Sequence, residues 1–229
     1  AAYDLPALSV QEHTVATDAA TVRASGALFA TEARSLMERR GARKASTDSR
    51  VAACAARVNA DAEAWVVWCD LNAESEALAK AIPGAVEVRG CNSIEEKEDR
   101  IAAFLRGDIR VIVSKPSIMG WGLNFQHCAR TAFVGVTDSW EAYYQAVRRF
   151  WRFGQQRPVE VHIYASEAEG AVVANLRRKE TDARAMAESL SAETRDAVRS
   201  EVSGSARATN IYTPSTRLAV PAWLRSEVA

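Results

Sequence analysis

Between Tyr143 and Pro158 the sequence carries four arginines, Arg148, Arg149, Arg152 and Arg157, and no acidic residue. A guanidinium keeps its charge at any physiological pH and offers a planar fork of donors, so such a cluster suits phosphate oxygens. On a helix from Ser139 to about Phe153, the residues Gln145, Arg149 and Arg152 share one face. A solvated basic helix end, favoured by the C-terminal dipole, explains the same residues without a ligand. A second constellation runs from Ser114 and Lys115 through Gly120, Gly122 and Asn124 to Gln126, directly after an apolar strand. Ligands of parallel α/β sheets bind at the carboxyl ends of strands, and glycines there let backbone approach a ligand closely. A plain turn is the other reading of this loop.

Other chemistry finds little support. His13, His127 and His162 are isolated, and Cys54, Cys69, Cys91 and Cys128 form no Cys-x-x-Cys pair, so no metal site is expected. No Gly-x-Ser-x-Gly elbow occurs. Glu95, Glu96, Glu98 and Asp99 read as the solvated face of a helix rather than an acid/base pair. There is no Gly-x-x-x-x-Gly-Lys-Ser/Thr loop and no apolar strand ending in Asp-Glu, so the phosphate cradle and magnesium ligands of an NTPase are missing from this sequence. The spacing of Gly41-Ala-Arg-Lys44 does not replace them.

The elements that must position these residues are legible. The 229 residues are 48% apolar and 25% charged, with 29 basic against 29 acidic side chains, which excludes a disordered chain and leaves any nucleic-acid affinity to a local patch. Five strands are predicted: Ala64–Cys69, Ala85–Val88, Ile109–Val113, Thr131–Val136 and Val159–Tyr164. Their near-continuous apolar character means burial on both faces of a parallel sheet. Between them, Asn72 caps a predicted helix to about Ile82, and Ser93 with Glu96 forms a capping box for a helix through Leu105. Tyr3–Val15 reads as an extra edge strand or an extended lead-in. Residues 27–40 and 47–60 have helical patterns broken at Gly41, and a long helix is expected from about Glu169 to Glu201. The remaining tail has an apolar end, Val220–Leu224, placed to dock on the body. The expected organisation is therefore a lead-in over 1–63, an α/β core over 64–166 and a helix with tail over 167–229.

Taken together, Gln145-Ala146-x-x-Arg149-x-x-Arg152-x-Gly154-Gln155 and Ser114…Gly120-x-Gly122-x-Asn124-x-Gln126 resemble motifs VI and V of superfamily 2 helicases. The likeness is strongest to the Swi/Snf-like branch and its phage and prophage (DEAD/DEAH-box type) relatives. It spans about Trp65 to Lys179. The Ser-to-Gly spacing in motif V is slightly longer than the family's, and Asp138-Ser-Trp140-Glu-Ala stands where Trp-Asn-Pro is common. The resemblance implies a RecA-like parallel sheet sandwiched by helices, the C-terminal lobe of an ATP-driven DNA helicase or translocase. It implies that Arg149 and Arg152 act as arginine fingers, that Gly120, Gly122, Asn124 and Gln145 line the ATP edge, and that Gly90, Ser114 and Lys115 touch the DNA backbone. ATP and Mg²⁺ would be held mainly by an N-terminal RecA-like lobe, and the isolated chain would be inactive.

The start at Ala1 without a methionine is read as a chain cut from something longer. No signal peptide or membrane span is expected, the scattered cysteines fit a reduced cytoplasm, and the resemblance implies a bacterial or phage-infected cell. Two alternatives stay open: a stand-alone adaptor that binds nucleic acid or protein with a helicase-lobe fold, and a small-molecule α/β enzyme that uses the glycine loop.

Overall fold

The structure is a computed structural model that describes residues 5–16, 41, 43–119, 122–135 and 139–202. The chain divides into two compact units, Ala1–Asp182 and Ala183–Ala229. The first contains a sheet of β1 (Leu8–Val15), β2 (Trp65–Trp68), β3 (Val86–Val88), β4 (Val111–Ser114), β5 (Arg130–Phe133) and β6 (Val159–Ser166). The order is β1-β6-β5-β2-β4-β3 and every pairing is parallel. All five strands predicted in the core are present. The lead-in supplies a sixth, with β1 running beside β6 in register from Leu8↔Val159 to Val15↔Ser166.

The helices are α1 (Thr47–Asn59), α2 (Asn72–Ala81), α3 (Ile94–Arg106), α4 (Pro116–Met119), α5 (Trp140–Val147) and α6 (Gly170–Val202), the last entered through a 3₁₀ turn at Glu167–Glu169. The second unit's described residues, 183–202, are all helical. Alternate residues of β2 face opposite sides, as a strand dictates. Val66 and Trp68 pack with Phe104 of α3, Phe150 and Val147 of the α5 region, and Leu176 of α6. Trp65 and Val67 pack with Val51, Cys54 and Val58 of α1 and Leu78 of α2. Both faces of the sheet are thus covered, which is why its central strands β2 and β4 read as near-continuous apolar runs while the edge strand β1 does not.

Three expectations need correction. The α2 cap is not Asn72: Leu71 holds the cap position, and the buried Glu74 carboxylate accepts from the Asp70 and Leu71 amides at 2.8 and 2.9 Å. A carboxylate at the first turn also meets the positive end of the helix dipole. The helix with the arginines ends at Val147, not Phe153, because the Arg149 and Phe150 amides tighten onto the Ala146 and Val147 carbonyls at 3.2 and 3.0 Å. Gly41 lies in helical backbone rather than at a break. The capping box of α3 is as expected, with Ser93 Oγ accepting from the Glu96 amide at 3.1 Å and Glu96 Oε2 accepting from the Ser93 amide at 3.2 Å. The helical pattern over 27–40 and the tail from 203, including Val220–Leu224, lie outside the described residues.

The chain leaves β2 toward one edge and β5 toward the other, with α2 and α5 on opposite faces, so the strand order reverses between β2 and β5. Such a reversal opens a crevice that usually receives a ligand. Here it is filled from within. Arg50 and Glu74 are fully buried and 2.7 Å apart, Arg50 Nε lies 3.5 Å from Glu169 Oε2, and Arg43 bridges Asp70 at 2.6 Å and Glu169 at 3.3 Å. Gly135 follows β5 there because a Cβ would overlap the Glu74 carboxylate.

Candidate nucleotide-facing site

The turn after α5 and the loop after β4 lie against each other. Arg149 donates from Nε and Nη2 to the Gln145 carbonyl and Oε1, both at 3.1 Å, and from Nη1 to the Leu123 carbonyl at 3.2 Å. The Arg149 carbonyl in turn accepts from the Phe125 amide at 3.0 Å. These acceptors are all uncharged, so the guanidinium keeps its full charge; partial burial and then the nearby Arg152 and Arg148 lower its pKa from the usual value. An arginine so held remains protonated at physiological pH.

Arg152 is half-buried, and its guanidinium makes no hydrogen bond or ion pair with the described residues. Arg148 turns elsewhere, packing its guanidinium over the Tyr144 and Trp151 rings at 6.0 and 5.4 Å. The expected single helical face of Gln145, Arg149 and Arg152 is therefore replaced by a helix end and a turn. The pairing of Gln145 with Arg149 survives because the arginine reaches back one helical turn.

In the β4 loop, Gly122 is exposed with φ +74°, and Asn124 is exposed beside Gln126, whose amide donates to Asn124 Oδ1 at 3.2 Å. Gly120 lies outside the described residues. Sequence reasoning assigned no role to the groups that stitch the two loops together. Gln126 Nε2 donates to the Phe153 carbonyl, Gln155 Nε2 to the Cys128 carbonyl at 3.1 Å, and Arg157 to the His127 carbonyl and to Glu63 at 2.7 Å. Only the Gly154-Gln155 pair and Gln126, as motif positions, pointed toward them.

The nucleic-acid candidates sit apart, at the carboxyl ends of β3 and β4. Gly90 is exposed and its carbonyl accepts from Lys97 Nζ at 3.1 Å; Lys115 is half-buried. Ser114 is 1% exposed and its hydroxyl donates to the Val88 carbonyl at 2.7 Å. Its side chain faces the sheet interior, joining β4 to β3, which leaves Lys115 and Gly90 as the outward groups of that corner.

The parallel six-stranded sheet, covered by helices on both faces, is a RecA-like α/β fold of the kind found in helicase ATPase domains. No family model matches the chain, and no curated protein is similar to it. Among solved structures it is similar to the C-terminal part of the Fun30 ATPase domain, with a TM-score of 0.51 and 14% identity over 56% of this chain and 45% of that one. It is also similar to a DEAD box protein from the hyperthermophile Methanococcus jannaschii, with a TM-score of 0.52 and 17% identity over 58% of this chain and 37% of that one. The chain thus covers less than half the length of either structure.

Proposed function

We propose that this chain is the C-terminal lobe of an ATP-dependent DNA helicase or translocase of superfamily 2, of the Swi/Snf-like phage or prophage type. It supplies arginines to a nucleotide cleft and part of the DNA surface. The observation that carries the reading is Arg152, a cation without a protein partner among the described residues, set in a turn hydrogen-bonded to the glycine loop after β4. The donor set fits ATP: guanidinium forks suit a γ-phosphoryl group whose charge grows in the transition state. Among the described residues no group of three or more His, Cys, Asp or Glu side chains is placed to hold a metal ion, so no Mg²⁺ ligands are proposed in this lobe. When bound, the nucleotide with its magnesium supplies the phosphoryl group to be cleaved. Arg149 and Arg152 orient it and stabilise its charge, Gln145 holds Arg149, and Gly122 and Asn124 border it. Lys115 and the Gly90 turn take the DNA backbone in a sequence-independent, salt-sensitive way.

A second reading, a stand-alone nucleic-acid or protein adaptor, is favoured by one feature: Arg149 spends its donors on Gln145 and Leu123 within the lobe. Replacing Arg152 by alanine in the two-lobed protein separates the two. The motor reading requires ATP hydrolysis to fall by on the order of 10³-fold while DNA binding persists. Unchanged hydrolysis, or a chain that functions without any ATP-binding lobe, selects the adaptor.

A further inference from the structure

Arg149 is placed by its own hydrogen bonds, whereas Arg152 has no such bonds among the described residues and takes its position from the turn that carries it. That turn is closed locally by the Gln155 amide, which donates to the Arg152 carbonyl at 3.1 Å. Its far end is pinned by the buried Gln155 side chain on the Cys128 carbonyl. Its apex is also held from across the site by the Gln126 side chain, through the Phe153 carbonyl.

The fit around Gln126 is specific. Asn124 Nδ2 donates to Gln126 Oε1 at 3.3 Å, which fixes the amide so that its NH₂ faces Phe153. Gly154 adopts φ +93°, and a Cβ there would stand 2.7 Å from Gln126 Nε2. The left-handed backbone and the missing side chain at Gly154 are thus what let the Gln126 amide reach the turn.

We propose that Gln126 is a positioning residue for Arg152, transmitting the placement of the β4 loop to the arginine that meets the nucleotide. This rests on the motor reading above. Gln126 does not touch the nucleotide; it sets where the guanidinium points, and a displacement of about 1 Å at such a group costs on the order of 100-fold in turnover.

The test is a double-mutant cycle in the two-lobed protein. Gln126→Glu keeps the size of the side chain but turns a donor toward the Phe153 carbonyl into an acceptor, and Gln126→Met keeps length without a donor. Either is expected to lower kcat for ATP by about 10- to 100-fold with KM and DNA affinity unchanged. On an Arg152→Ala background the same changes are expected to have no further effect. Full additivity, or wild-type kcat in both Gln126 variants while Arg152→Ala is inactive, overturns the positioning role and leaves the motor reading intact. Wild-type kcat in Arg152→Ala overturns both. Thermal melting of each variant confirms folding, and Gly154→Ala, which displaces the Gln126 amide from the other side, must reproduce the kcat loss.

Discussion

Arg149 reaches 3.2 Å to the carbonyl of Leu123 and so binds the arginine turn after α5 to the loop after β4. The Phe125 amide returns the connection to the Arg149 carbonyl, so one residue uses both main chain and side chain to join the two segments. The consequence is a difference between neighbours: the Arg149 guanidinium holds the two segments together, while that of Arg152 makes no hydrogen bond or ion pair with the described residues.

That difference is measurable. Arg149→Ala is expected to lower both stability and ATP hydrolysis, because it removes hydrogen bonds from a charged donor worth about 1–3 kcal/mol. In a chain of this size that is a fall in Tm of roughly 2–10 °C. Arg152→Ala should leave Tm within about 1 °C, since surface changes away from packed contacts move stability by ~0.5 kcal/mol or less. Equal loss of Tm in both variants contradicts the assignment.

At the β3–β4 corner, Ser114→Ala and Lys115→Ala should part company. The first loses a buried hydroxyl bond to Val88 and about 1 kcal/mol, with DNA affinity unchanged. The second should weaken DNA binding across all sequences and reduce the slope of log affinity against log salt by about 1, with stability kept. Fluorescence anisotropy over a salt series, beside a melting curve, reads both.

Glu74→Gln breaks the buried pair with Arg50 and weakens the anchor of α2. Removing one partner of a buried ion pair costs about 3–5 kcal/mol, so Tm should drop by on the order of 10 °C. Calorimetry that finds no change would show that the pair is dispensable.

Acid should loosen the β1 edge. His13 Nε2 and His162 Nδ1 are 3.0 Å apart across β1 and β6, an arrangement that accommodates one proton between them. Burial, then His13 and Arg57, lower the His162 pKa from 6.5, against the opposing pull of Glu160; burial and Arg57 lower that of His13. The unfolded chain therefore binds more protons below pH 6.5, and stability must fall as pH drops through that value. His162→Gln retains a hydrogen-bonding side chain without the charge, and its melting temperature should vary less between pH 7.5 and 5.5, a window that spans about one unit either side of an ordinary histidine. Parallel pH profiles for the two proteins would remove the histidines from the account.

The core of the sheet was readable from sequence because strands such as Trp65–Trp68 are near-continuous apolar runs, and a run buried on both faces needs no alternation to be seen. The end of α5 was not readable: Arg149 and Phe150 are sound helix residues, yet their amides turn onto the Ala146 and Val147 carbonyls, and the Arg149 carbonyl is taken by Phe125, more than 20 positions earlier. The buried roles of Glu74 and Ser114 were hidden for the same reason. A carboxylate in a first turn and a serine after a strand look solvent-facing until their partners, Arg50 and the Val88 carbonyl, arrive from other parts of the chain. The two motifs were legible as spacings, while the contacts between them were not.

The crevice between β2 and β5 holds a guest that cannot leave. Arg50 is covalently tethered, so its occupancy does not depend on any concentration, and it meets both Glu74 and Glu169. In this structure the place where such sheets usually receive a ligand is taken by the chain's own charged side chains. A second molecule seeking this crevice would first have to displace an ion pair that belongs to the chain itself.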